Sequence, residues 1–343
     1  MPIHRGAAFS ILTMGMVGLA LAANLAAGSP QRAAESFPQP EPARTVTVAG
    51  IAGVVASGVQ WTLVWQGADN ADGIVGTPDG GVLFAQEQPN RIRKLTADGQ
   101  SSVYLEGTHG AGALAIDATD RILAVERTCT DPGRGPTDCT EPTAVTVLAP
   151  SRRILADNFE GRPFGRVNDL VVDRRGGVYF NGAGTFYVEP AGRVISFGPD
   201  LRTNGLMLSP NENTLYVTNG TAIVAFDVQP DGGVTNQRNF GTLEAGGSGD
   251  GMAIDADGRL YVTTRPGVQV LGPDGKYLGL IPTPRAAISV AFSGSDKQTL
   301  YIVGSGAAGP DGQELRTPAG VRNNAKSIYT LPMIARGFRG RAK

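Results

Sequence analysis

The chain has 343 residues, 48 of them glycine and 23 proline, and carries a formal net charge of -1. A chain of this length can bury a large core, and its density of turn-forming residues points to many short strands. Interspersed charges leave no basic face and no acidic tail, which excludes nucleic acid and polyelectrolyte partners.

Taken in chain order, His4 and Arg5 precede an uncharged, mainly apolar run from Ala7 to Ala23 that contains the small-residue pattern Ala20-Leu21-Ala22. This reads as a secretory signal over residues 1-22, cleaved on export. An uncleaved anchor is the alternative and needs about 20 apolar residues. With the signal removed, the protein is expected in the periplasm or secreted, with no stable membrane insertion. Residues 23-44 form a proline-rich polar spacer with little to bury, and the folded domain is expected over 45-343. At its start, TVTVAGIAGVVASGVQWTLVWQ (45-66) is positioned to supply a strand that closes the fold on itself.

From there the chain repeats a phrase six times. The copies are DGIVGTPDGGVL from Asp72, GALAIDATDRIL from Gly112, NDLVVDRRGGVY from Asn168, NGLMLSPNENTLY from Asn204, DGMAIDADGRLY from Asp250 and SVAFSGSDKQTLY from Ser289. Each reads as a strand, a tight turn and a second strand. The equivalent positions Leu83, Leu123, Tyr179, Tyr216, Tyr261 and Tyr301 are 40, 56, 37, 45 and 40 residues apart. That interval is one four-stranded blade, so the expected fold is all-β, a six-bladed β-propeller. The tyrosines are expected to pack between blades.

In such a fold the first strand of each blade lines the channel, and loops entering it share a mouth with those leaving the second strand. The first residues of the copies therefore form a ring: Asp72, Gly112, Asn168, Asn204, Asp250 and Ser289. Carboxylates and carboxamides converging without histidine or thiolate suit a hard cation, Ca2+ first. Capping of strand ends is the alternative reading.

Between the second and third copies, Cys129 and Cys139 lie ten apart in TCTDPGRGPTDCT. In an exported protein a disulfide closing this loop is favoured over a metal site. The insertions 126-143 and 304-326 are expected at the ring's mouth, where Arg127, Arg316 and Arg322 could meet an anionic substrate. His109 precedes the second ring position and is a candidate proton shuttle. GSGAAG (304-309) lacks the helix a dinucleotide site requires. The D-x-D-G of Asp255 to Gly258 reads as turn chemistry, and no G-x-S-x-G elbow is present.

The stretches ADGIVGTPDGGVLF, GRVNDLVVDRRGGVYF, TNGLMLSPNENTLYVTN and GDGMAIDADGRLYVTTRPGVQVLGPDGKYLGLIPTP make the chain resemble the gluconolactonase, regucalcin and senescence marker protein family, over about residues 66-304. The resemblance implies a six-bladed propeller that binds a divalent cation, usually calcium, here through Asp72, Asn204 and Asp250. It also implies substrate contacts from Arg166 and Asn168, and hydrolysis of sugar lactones or related esters. Asp72 departs from the family pattern, which has Glu in an EGPVW phrase. Asp250, with an oxygen to spare, could accept the attacking water's proton, or a metal-bound water could itself be the nucleophile. Phosphotriester hydrolysis on the same ring, and a non-catalytic binding propeller, are the competing readings.

Overall fold

A computed structural model describes residues 39-127, 142-318, 321-341 and 343. The expected signal segment, most of the expected spacer, Cys129 and Cys139 lie outside the described residues.

Six four-stranded antiparallel sheets follow one another along the chain. Their first strands are Asp72–Gly76, Ala111–Ile116, Leu170–Val172, Leu206–Leu208, Met252–Ile254 and Ala287–Ser293. Each of these contacts the first strand of the next blade, and the sixth contacts the first, so the inner strands close a ring. They are almost wholly buried because they are covered on both faces. The outermost strands are far more exposed, as Ser101–Glu106 is. This is the six-bladed propeller that the repeat implies.

Closure follows the expected route. Thr62–Gly67 pairs antiparallel with Lys326–Pro332, so the sixth sheet combines a strand from before the first blade with three from the end of the chain. Hydrogen bonds of that strand pair resist opening of the ring. Between blades, Tyr179, Tyr216 and Tyr261 are buried, and Tyr179 and Tyr216 share one apolar cluster with Leu206, Leu260 and Val262.

The repeated N-G and D-G pairs have a packing cause. A Cβ on Gly205 would lie 2.1 Å from the carbonyl oxygen of Asp250. Only glycine lets the backbone after one ring residue pass that close to the ring residue of the next blade.

Candidate active site

At one mouth of the channel Asp72, Asn168, Asn204, Asp250 and Ser289 line a single cavity, joined by Arg127 and Asp169. The cavity offers about 20 Å³, room for one ion or water. Backbone bonds beyond the inner strands hold these residues: the Asn168 amide donates to the Asn181 carbonyl and the Asp250 amide to the Thr263 carbonyl, each at 2.9 Å. In blades one, two and six the register shifts at the mouth end of the inner strand. Such a bulge re-aims the side chains beside it.

Gly112 contributes no side chain, and Arg127 explains why. A Cβ at 112 would fall 2.1 Å from Arg127 Nε and Cζ. Arg127 follows the second strand of blade two, and its guanidinium crosses Gly112 to enter the ring. There Nη1 donates to Asp72 Oδ2 and to Glu87 Oε2, each at 3.2 Å, Nε to the Val167 carbonyl at 2.9 Å and Nη2 to Asn168 Oδ1 at 3.0 Å. Arg127, read from the sequence as an insertion residue able to meet an anionic substrate, is instead 2% exposed and bonded within the ring. Burial of a guanidinium is tolerable only with such partners.

Glu87 was not anticipated from the sequence. It is 2% exposed and stands after the second strand of blade one at the position Arg127 holds in blade two, as VLFAQE and ILAVER align in the repeat. That shared phase was the available signal. Glu87 Oε1 lies 3.6 Å from Arg166 Nη2, whose side chain is 38% exposed at the mouth. Thus Arg166, Asn168 and the three expected cation ligands are gathered around one opening.

Asn168 Nδ2 donates to Asn204 Oδ1, linking the third and fourth blades across the ring. The carboxyl of Asp250 is pushed well above the ordinary carboxylate range, first by burial and then by the carboxylates of Asp72 and Asp169; Arg127 opposes the shift. Asp169 is neutralised from beneath, accepting from Lys343 Nζ and, at 3.2 Å, from the Leu206 amide.

The donor set fits a hard cation. Among the described residues no three histidine, cysteine or acidic side chains gather as a metal cluster; the donors are two carboxylates, the Asn204 carboxamide and the Ser289 hydroxyl. All are oxygens, and the crowding that raises Asp250 is what a cation relieves. Asp72, one methylene shorter than the family's Glu, is held at the ring's edge: its Oδ1 accepts the Gly73 amide at 2.9 Å and its Oδ2 accepts from Arg127.

His109 is half-buried with φ 51° and does not line the cavity. Arg316 is exposed, and its loop is tied down by the pair between Arg285 Nη2 and Glu314 Oε1 at 2.7 Å. Asp255 accepts the amides of Asp257 and Arg259 at 3.0 and 2.9 Å, the turn chemistry expected of the D-x-D-G phrase.

The profile of the SMP-30/gluconolactonase/LRE-like region matches residues 73–306. A gluconolactonase of Zymomonas mobilis is 29% identical over 297 residues, 74% of this chain and 78% of that protein. Among solved structures, a Xanthomonas campestris gluconolactonase superposes with a TM-score of 0.66 at 22% identity, over 87% of this chain and 98% of that one. A calcium-binding regucalcin of Agrobacterium tumefaciens superposes with a TM-score of 0.62 at 16% identity, over 81% and 95% of the two chains. At those identities the two likenesses speak to the fold.

Proposed function

The chain belongs to the SMP-30/gluconolactonase/LRE-like family, and from that premise we propose that it is a carboxylic ester hydrolase that opens a lactone, a sugar lactone first, with the help of a divalent cation, calcium first, held by Asp72, Asn204 and Asp250. The observation that carries this reading is the convergence of those oxygens with Asn168 and Arg127 on one ion-sized cavity beneath an open mouth. The likeness to a named gluconolactonase over most of both chains supports the choice of reaction.

Such a cation, when bound, supplies Lewis-acid polarisation of the lactone carbonyl. This chain's own groups do the rest. Arg166, exposed at the rim, and Asn168, fixed by its bond to Asn204, hold substrate oxygens by hydrogen bonds. Asp250 accepts a proton as water adds to the carbonyl carbon. The ring C–O bond then breaks, that proton passes to the leaving alkoxide, and the product is the open hydroxy acid. One water is consumed and no redox partner is needed.

Hydrolysis of δ-gluconolactone, measured on the metal-free protein and again after calcium is restored, tests the reading. Turnover is expected to vanish on chelation and return with calcium. Asp250→Asn is expected to lower kcat by a factor of about 100 or more while the fold persists. Full turnover in the chelated protein would rule out the cation, and full turnover in the variant would rule out Asp250 as base. Export, supported by the apolar run Ala7 to Ala23, is part of the same proposal; N-terminal sequencing of the secreted or periplasmic protein checks it.

A further inference from the structure

Among the described residues, the rim above the ring carries more positive charge than its carboxylates balance. Arg127, Arg166 and Lys326 each lie within electrostatic reach of Asp72 and Glu87, and Arg322 lies within reach of both Arg166 and Lys326. The acidic groups that act on Arg166 and Lys326 are Asp72 and Glu87 alone among the main influences, and both are already bonded to Arg127. Counting Asp250 as a third anion, and Asp169 together with the Lys343 that pairs with it, leaves five cations against four carboxylates among the described residues, and a divalent cation in the ring would widen the excess.

Three of these cations are free to meet a ligand. Arg322 is exposed and makes no hydrogen bond or ion pair among the described residues. Arg166 has only the 3.6 Å approach to Glu87. Lys326 opens the strand Lys326–Pro332, which the closing strand and Thr299–Ser305 flank on both sides, so its backbone is fixed. Its ammonium donates only to the carbonyls of Asn324 and Ala325, at 3.3 and 3.4 Å. Burial and Arg322 lower its basicity to about 8, which leaves it mostly charged near neutral pH. Arg127 and Arg322 likewise hold the Arg166 guanidinium below its usual value, after burial. A fixed ammonium without a carboxylate partner beside the Arg322 guanidinium is costly unless an anion completes it.

We propose that the rim formed by Arg166, Arg322 and Lys326 is an anion-recognition site, and that the lactone this protein prefers carries a carboxylate or phosphate group. The inference rests on the lactonase reading and adds to it the charge of the substrate. The planar forks of two arginines suit either oxyanion, and the positive rim draws anions toward the channel.

The test compares kcat/KM for neutral D-glucono-1,5-lactone, its 6-phosphate and the carboxylate-bearing D-glucaro-1,4-lactone, using the calcium-loaded full chain at low and at 0.5 M ionic strength. One or both anionic lactones should exceed the neutral one by about tenfold, the worth of a single charge-assisted contact, and salt should shrink the gap. Which of the two leads distinguishes phosphate from carboxylate. Arg322→Ala and Lys326→Met should each lower the anionic-to-neutral ratio by about threefold to tenfold. Equal or better use of the neutral lactone, or a ratio unmoved by both substitutions, overturns the anion site while the lactonase reading stands. Absence of turnover on all three lactones would overturn the lactonase reading; binding of inorganic phosphate and glucarate, measured by calorimetry on the same sample and on Lys326→Met, then decides the rim separately. Affinity that drops in the variant upholds the site, and no binding overturns it.

Discussion

Arg127 organises the ring from a position where its own side chain is sealed from water. Removing it as Arg127→Met takes the closest described charged partner from the buried carboxylate of Glu87, which should cost about 3 to 5 kcal/mol of stability. Adding Glu87→Gln removes that charge, so the double variant should recover much of that loss in urea unfolding. Additive losses would mean that the two residues are not coupled. Gly112→Ala tests the same contact without deleting any polar group. The added methyl must displace the guanidinium, and kcat/KM for a lactone should fall as Asp72 and Asn168 lose their anchor. The sequence makes Asp72, Asn168, Asn204 and Asp250 legible because each opens a copy of the repeat. Arg127 and Glu87 follow the second strands, outside the compared phrase, and Gly112 looked like a gap in the ring when it is the space that Arg127 fills.

The blade hairpin owes its sharp turn to one buried carboxylate. Asp255 accepts two turn amides, the Arg259 guanidinium at 2.7 Å and the Tyr261 hydroxyl at 2.9 Å. Asp117 does the same for its own hairpin, with Thr119 and Arg121 but no tyrosine. Asp255→Ala should therefore cost about 3 kcal/mol, and Asp117→Ala less, because Arg121 is 35% exposed and keeps its water. Both turns lie at the end of the hairpin away from the ring, so KM should be unchanged in either variant; a KM that moves with Asp255 would show that the turn reaches the site. At this scale the sequence was most informative. A strand, an Asx turn and a second strand each depend on neighbours a few residues away, whereas the closing pair of Thr62–Gly67 with Lys326–Pro332 joins segments distant in sequence and needed the propeller argument to be placed.

The molecule as a whole is stopped at the face opposite the ring by its own chain. The amide of Gly337 donates to the Lys297 carbonyl and that of Phe338 to the Ile254 carbonyl, at 2.8 and 3.1 Å. Arg341 pairs with Glu212 at 2.7 Å, and Lys343 reaches Asp169 beneath the ring. Nothing in GFRGRAK separates this segment from a solvated basic tail, because its partners are scattered over four blades. Its burial has a measurable consequence through Lys297, whose ammonium donates to the carbonyls of Phe292 and Arg341 at 3.1 and 2.9 Å. Burial, with Arg339 adding to it, lowers this lysine to about 8, as burial also lowers Lys326 to about 8. Between pH 8 and the ordinary lysine value the unfolded chain holds protons that the native protein has released, so stability should rise with pH there. The buried Tyr179, Tyr187 and Tyr261 act in the other sense. Burial raises all three above the ordinary tyrosine value of 10.0, so from about pH 10 upward the unfolded chain loses protons that the native protein retains, and stability falls. Urea unfolding across pH 7 to 11 should show stability rising from about pH 8 to a maximum near pH 10. Lys297→Met should flatten its rising side and leave the falling side in place. A curve that declines steadily from pH 8 would mean that Lys297 and Lys326 stay protonated in the native protein and that solvent reaches both ammonium groups.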